Sequence, residues 1–362
     1  MEAVSLQALA DQAAADSNHT TQEAITRFFL SDVGAYIREL STLKELLAGR
    51  RLHDPELRME FARLTDTVIA AGEQTVAQFD KTTAKRVKEA FRQAIRPWTA
   101  DNPFLERCWT KPRGYAGDYL MMEHGYLNRV HMTGGLAGAF DRYFSDSYEN
   151  VRQRKYKLCD AIRRLVLDEA RTGASLKMLS LGSGPCREWV ELEVECNAGV
   201  WTDRRINRTR LTCIDKDPEA LAYARKQVIG NSLLESAEFI EADLFQFTKA
   251  DRWRAEERSY DFIYGVGIAN YFYDTMLQNI IANAFTLVKP GGELMVTHKA
   301  REGFNFPVAD WLCDWVFLKR SAEEFSSVYQ EALADAHGQF TFRLERIPDG
   351  TMFFGYATRT QA

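Results

Sequence analysis

The chain has 362 residues, of which 46% are hydrophobic and 27% charged, with a formal net charge of -5. That length suits two domains, or one large domain with an extension, and the apolar share is ample for a sizeable core. The mildly acidic balance excludes the concentrated basic field that a nucleic-acid surface needs, but not a small acidic substrate held by one arginine.

Six cysteines (Cys108, Cys159, Cys186, Cys196, Cys213 and Cys313) are scattered without a C-x-x-C pair. This spacing fits neither a zinc site nor a disulfide framework, so reduced thiols, a cytoplasmic location and no metal are expected. Met1-Glu2-Ala3-Val4-Ser5 lacks the basic-then-apolar order of a signal peptide. No apolar stretch reaches about 18 residues, so no membrane span is expected.

From Leu6 to about Ala100 apolar residues recur three and four apart, as in Ile25, Phe28, Phe29, Val33, Tyr36, Ile37 and Leu40. This predicts an all-helical cap over residues 1–107, with Asp54-Pro55 opening one helix. Residues 108–172 form an expected lid and connecting helices. Within them, residues 108–138 differ sharply in composition, and Thr110–Tyr119 is too rich in Gly, aromatic and charged residues for a regular helix; a helical region follows over 143–171. The segment from Lys111 to Tyr126, with its Gly114-Tyr115-Ala116-Gly117-Asp118 run, is the candidate lid. Arg113 can grip a carboxylate bidentately, or can pair with Asp118 and only fix the loop.

Residues 173–362 alternate strand and helix. Strands are expected at 178–181, 211–214, 237–240, 260–264 and 293–297, with helices at 188–196, 218–229 and 275–288 and a turn at Lys289-Pro290-Gly291-Gly292. Asp217 caps the second of these helices. Strands at 338–345 and 351–357 suit an antiparallel hairpin at the sheet edge. The fold class is therefore α/β: a Rossmann-like doubly wound sheet behind an N-terminal helical cap.

In such a sheet, ligands lie beyond the carboxyl ends of the strands. The first strand ends in Leu181-Gly182-Ser183-Gly184-Pro185-Cys186-Arg187-Glu188, where two glycines allow close approach to a helix N-terminus. Asp215 ends the second strand and suits both ribose hydroxyls. Asp243 follows the third and can accept from an adenine amino group, with Leu244 or Phe245 covering the ring. The fourth strand ends at Gly265, before Val266-Gly267-Ile268-Ala269-Asn270-Tyr271. A dinucleotide fingerprint needs a third glycine where Arg187 stands, so NAD is the weaker reading.

These features, in this order, resemble the class I methyltransferases, which implies S-adenosyl-L-methionine as cofactor and a small-molecule acceptor. Most such enzymes carry an acid two residues before the first glycine; here it is Ser180, so Glu188 or Asp118 must supply the missing charge. Pro112-Arg113-Gly114-Tyr115-Ala116-Gly117-Asp118, the stretch from Leu179 to Glu188, and Asp314-Trp315-Val316-Phe317-Leu318-Lys319-Arg320 resemble a narrower group. These are the bacterial proteins named for biosynthesis of the extracellular factor 3-hydroxypalmitic acid methyl ester. The resemblance spans roughly residues 100 to 357 and implies O-methylation of a fatty-acid carboxylate.

Methyl transfer needs near-attack geometry and exclusion of water. A carboxylate acceptor needs only a positioning donor such as Arg113 or Lys299, whereas a hydroxyl or amine calls for a base, with His298 in a suitable place. Tyr115, Tyr119, Tyr271 and Tyr273 can face the sulfonium through their rings, or pack in core and lid. The catalytic set is thus Tyr115, Asp118, Asn270 and His298. Arg113, Tyr119, Ser180, Gly182, Gly184, Glu188, Asp215, Asp243, Leu244 and Gly265 form the cofactor set. Two other functions fit the same residues: cyclisation of the cofactor to azetidine-2-carboxylate and methylthioadenosine, and cofactor sensing without catalysis. A homodimer is the assembly considered.

Overall fold

The computed structural model describes residues 5–48, 55–99, 101–128, 132, 134–172, 175–199, 209–246, 251–304, 306–336 and 338–360. Nine helices open the described chain: α1 (Leu6–Ala13), α2 (His19–Arg27), α3 (Gly34–Leu47), α4 (Pro55–Val76), α5 (Lys81–Thr99), α6 (Pro103–Thr110), α7 (Tyr119–Leu127), α8 (Gly135–Ser147) and α9 (Glu149–Thr172). Ser5, Asn18 and Asn102 cap α1, α2 and α6 through their side-chain oxygens, and Pro103 takes the first position of α6. A π-helical turn, Phe28–Val33, links α2 to α3 and buries Phe28, Phe29 and Val33. Asp54, read as a cap for α4, lies outside the described residues.

The irregular stretch expected at Thr110–Tyr119 runs from Lys111 to Asp118, where Lys111 and Gly114 adopt φ of 43° and 82°. Then α7 begins, because Asp118 Oδ1 accepts from the N–H groups of Leu120 and Met121 at 3.1 Å each. This N-cap sets the boundary between loop and helix. The helical region expected over 143–171 is the end of α8 followed by α9, with a break at Tyr148.

The α/β part runs β1 (Leu176–Leu181), α10 (Arg187–Asn197), β2 (Thr209–Asp215), α11 (Pro218–Val228), β3 (Leu234–Glu241), α12 (Asp251–Ala255), β4 (Tyr260–Gly265), α13 (Asp274–Thr286) and β5 (Val288–Lys299). It closes with α14 (Pro307–Cys313), α15 (Ala322–Ala332), β6 (Phe340–Arg346) and β7 (Met352–Arg359). The sheet order is β3-β2-β1-β4-β5-β7-β6. β1 to β5 pair in parallel, while β7 runs antiparallel to both β5 and β6. This is the methyltransferase-like α/β fold expected from the sequence, hairpin included. The Lys289–Gly292 turn lies within β5 as a bulge: Tyr260 pairs with Val288 but Phe262 with Glu293.

Contacts divide the chain into two units. The helical unit comprises Met1–Gly117, Leu127–Tyr148 and Phe306–Val316. Its core is aromatic: Trp311 meets Phe28 and Phe91 edge-on, with centroids 5.7 and 5.3 Å apart. The α/β unit comprises Asp118–Tyr126, Glu149–Asn305 and Phe317–Ala362. One face of its sheet buries Met178, Trp189, Leu211, Cys213, Phe262 and Tyr264, and the other buries Leu179, Ile214, Ile263, Leu277, Ile281 and Leu294. Strand order reverses between β1 and β4, which puts the ligand crevice at their carboxyl ends.

Asp118→Ala is expected to cost about 1 kcal/mol of unfolding free energy, with Asp118→Asn retaining most of it. Urea unfolding followed by circular dichroism measures this. An unchanged midpoint with lost activity would instead make Asp118 a catalytic acid.

Candidate functional site

The loop after β1 is built from left-handed backbone: φ is 62° at Gly182, 51° at Gly184 and 51° at Cys186. A Cβ on Gly182 would sit 2.4 Å from Ile268 Cγ2, whereas one on Gly184 would meet no atom within 4 Å. Gly182 is therefore required by packing, and Gly184 leaves an open face for a ligand. Ser183 N–H donates to the Ile214 carbonyl at 3.0 Å, and Gly184 N–H donates to Asp215 Oδ2 at 2.9 Å. The loop is thereby tied to the end of β2.

Asp215 is buried, and its Oδ1 accepts from Asp217 N–H at 3.0 Å. Burial pushes its carboxyl above the ordinary aspartate range, against the pull of the Asp217 and Gly184 donors. Each oxygen retains a second acceptor position, enough for two ribose hydroxyls. Ala242 N–H donates to the Asp215 carbonyl at 3.0 Å, which brings the turn after β3 alongside. There Asp243 is exposed, its Oδ1 accepting from Phe245 N–H at 2.9 Å, and Leu244 packs toward Gly182. Gly265 faces Ile268 across β4, where a Cβ would lie 2.9 Å from Ile268 Cδ1. Gly182, Gly184, Asp215, Asp243, Leu244 and Gly265 thus share one edge of the sheet.

Ser180 stands in register with Tyr264 across β1 and β4. The Tyr264 hydroxyl donates to Glu188 Oε1 at 2.8 Å and accepts from Trp189 Nε1 at 3.0 Å. Burial raises the Glu188 carboxyl above its ordinary range. Ser180, Gly182, Ser183, Glu188, Tyr126 and Lys155 help line a cavity of about 20 Å³. Of the two acids offered in place of an acid at Ser180, Glu188 lies in this cavity. Asp118 is a buried helix cap. Tyr264 was read only as strand; its polar role left no sequence signal beyond its place opposite Ser180.

The ends of β4 and β5 carry a second group. Gly267 has φ of 87°, and a Cβ there would lie 2.7 Å from Arg154 Nη1, so the Arg154 guanidinium lies against bare backbone. Arg154 also donates from Nη2 to the Tyr126 hydroxyl at 3.1 Å. Lys299 Nζ lies 3.6 Å from the Phe304 ring centroid and 4.4 Å from that of Phe317. Asn270 Oδ1 accepts from Lys299 N–H at 2.8 Å, and its carbonyl accepts from Leu318 N–H at 2.9 Å. Asn270, itself buried, therefore clamps the end of β5 to the segment that carries Leu318. Arg154 carried no sequence signal: it is one cation in a helix full of them.

His298 departs from its expected role. Its Nδ1 donates to the Lys299 carbonyl at 2.9 Å, and its Nε2 accepts from Arg320 Nη1. Arg320 in turn pairs with Asp274 at 2.6 Å. Both ring nitrogens are occupied, and burial pushes the ring pKa down to about 3. No lone pair is left for a base.

Arg113 and Tyr115 belong to the helical unit, while Asp118 and Tyr119 belong to the α/β unit. The Tyr119 ring packs on Tyr223 with centroids 5.2 Å apart. All six cysteines are free. Among the described residues no group of His, Cys, Asp and Glu is placed to hold a metal ion, and no helix is long and apolar enough to cross a membrane.

Residues 192–292 match a family described as a methyltransferase domain. No curated protein matches the chain. Among solved structures, a protein of Bordetella parapertussis described as a possible exported protein is similar at 16% identity, with 96% of this chain and 100% of that chain covered and a TM-score of 0.49. Magnesium protoporphyrin IX methyltransferase of Synechocystis PCC 6803, with bound SAM, is similar at 10% identity over 59% of this chain and 83% of that one, TM-score 0.39. The 1,6-didemethyltoxoflavin-N1-methyltransferase of Burkholderia thailandensis is similar at 15% identity over 62% and 86%, TM-score 0.38.

The His298 assignment is checked by nuclear magnetic resonance: its ring signals should not titrate between about pH 8 and about pH 5. The unfolded state binds the His298 proton first, so its contribution to stability rises with pH between about 3 and the ordinary histidine value of 6.5. A ring midpoint near 6.5 would return His298 to the list of bases.

Proposed function

We propose that the protein binds S-adenosyl-L-methionine at the Gly182–Gly184 loop and methylates a small molecule, with the carboxylate of a (hydroxy) fatty acid as the finer reading of the acceptor. The observation that carries the cofactor is the joint held by Gly184 and Asp215. A carboxylate fixed by two backbone donors, 2.9 and 3.0 Å away, still offers acceptor positions beside the open face of Gly184. Arg187 supports this choice over a dinucleotide: where a third glycine would stand, it pairs with Glu123 at 3.1 Å and Glu191 at 2.9 Å.

The cofactor supplies a methyl group on a sulfonium, ready for in-line displacement. Asp215 holds the ribose, Asp243 and Leu244 the adenine, and the buried Glu188–Tyr264 pair the ammonium end. The protein's task is then orientation and exclusion of water. A carboxylate acceptor forms its new O–C bond as the C–S bond breaks, and no proton has to leave, so the loss of His298 as a base costs this reading nothing. The acceptor assignment itself rests on the three motifs shared with the extracellular-factor group. One observation favours the second reading, cofactor cyclisation: Glu188 is buried in a small cavity, and burial makes its carboxylate a stronger base than an ordinary glutamate, which suits a receiver of the ammonium proton.

Asp215→Ala should weaken S-adenosylhomocysteine by tenfold or more in calorimetry, since each hydrogen bond to a charged acceptor is worth about 1.5–3 kcal/mol. Protonation removes the acceptor, so wild-type affinity should fall on acidification, beginning at higher pH than for an ordinary aspartate. Unchanged affinity in the variant would sink the ribose assignment. Incubation with S-adenosylmethionine alone separates the chemistries. Acceptor-dependent S-adenosylhomocysteine supports methyl transfer, and acceptor-independent methylthioadenosine supports cyclisation. Tight binding without turnover supports sensing.

A further inference from the structure

We propose that Lys299 and Arg154 together receive a carboxylate, that of the methyl acceptor, at the carboxyl ends of β4 and β5. This rests on the cofactor reading above, which fixes the reacting edge of the sheet, and it names the residues that hold the acceptor's charge. Both side chains are about 97% removed from solvent, each being 3% exposed. Among the described residues no carboxylate forms an ion pair with either of them; Arg154 hydrogen-bonds the Tyr126 hydroxyl and lies against the Gly267 backbone, and Lys299 Nζ faces two aromatic rings. A buried guanidinium and a buried lysine amine without an anionic partner are costly, and an anion that enters beside them removes the cost. A planar guanidinium beside a compact ammonium matches the two oxygens of a carboxylate.

The surroundings indicate what kind of molecule carries that carboxylate. From Lys299 Nζ the rings run outward: Phe304 to Phe317 at 5.7 Å, then Phe317 to Tyr271 at 6.1 Å, and Tyr271 is 40% exposed. An anion with an apolar body fits this path, its charge inside and its body along the rings.

The charged groups around Lys299 give the site a pH dependence. Arg154 on α9 and Lys319 in the 317–320 segment repel its proton, and Asp349 in the β6–β7 turn attracts it. Burial acts first and in the same direction as the two cations, so the free amine sits well below the ordinary lysine range. A carboxylate placed opposite restores the ammonium. Binding therefore takes up a proton, and affinity weakens as pH rises.

The test uses the full chain saturated with S-adenosylhomocysteine and titrated calorimetrically with octanoate near pH 8, in two buffers of different ionisation enthalpy. Wild type should bind octanoate with a buffer-dependent heat that reports proton uptake. Lys299→Met should bind S-adenosylhomocysteine as wild type does, which shows that it is folded, and should weaken octanoate at least tenfold. Lys299→Arg should retain octanoate but lose the proton uptake. Octanoate binding unchanged in Lys299→Met, or absent in wild type that binds S-adenosylhomocysteine, overturns the proposal and leaves the cofactor reading standing. A third arm compares S-adenosylhomocysteine with methylthioadenosine, which lacks the carboxylate. If Lys299→Met weakens only the former, the pair serves the cofactor's own carboxylate, and the acceptor assignment falls. If wild type binds neither nucleoside, it is the cofactor reading that fails.

Discussion

The bond from Gly184 N–H to Asp215 Oδ2 is the constraint on which the α/β unit's chemistry depends. It joins the ends of two adjacent parallel strands through one backbone donor and one buried carboxylate. The donor is available only because Gly182 and Gly184 hold left-handed backbone, and Gly182 must also lack a Cβ so that Ile268 can reach the loop. Ile268 comes from the far side of the strand-order reversal and touches Gly265 as well. One isoleucine side chain thus packs the second loop of the edge against the first.

Charge at this edge is handled in two opposite ways. Around β1 the buried acids are satisfied internally: Asp215 by backbone donors, Glu188 by Tyr264. Around β5 the buried bases split into two kinds. Arg320 is fully engaged by Asp274, Phe272 and His298, whereas Arg154 and Lys299 have no anion among the described residues. One buried arginine thus has three acceptors while the neighbouring Arg154 and Lys299 have no anion among the described residues, the contrast on which the proposed carboxylate site rests.

The sequence made the sheet legible because parallel strands are short apolar runs separated by helices with strong starts. Asp217-Pro218 is the clearest of these starts, and the structure caps α11 there. The glycine loop, Asp215 and Asp243 were readable because backbone geometry restricts which residues can occupy strand ends. What could not be read was anything that depends on partners distant in sequence. Tyr264 looked like one more strand residue until its hydroxyl was found between Glu188 and Trp189. His298 looked like a base because sequence cannot reveal that Arg320, 22 residues on, takes its second nitrogen. That Asp118 starts a helix is hidden in the sequence because a capping aspartate and a catalytic one are the same letter, and the surrounding glycines obscure α7.

Asn270 ties two stretches of chain that share no secondary structure: its side chain holds the last residue of β5, and its carbonyl holds Leu318. The segment from Phe317 to Arg320 is therefore anchored at the β4–β5 ends, apart from the ends of β2 and β3 where Asp215 and Asp243 stand. A few side chains in that segment can be exchanged while the Gly182–Gly184 loop and its tie to Asp215 keep their shape. Such a division lets a lineage vary one end of this sheet edge without disturbing the other, and it marks residues 317–319 as the place to begin redesign.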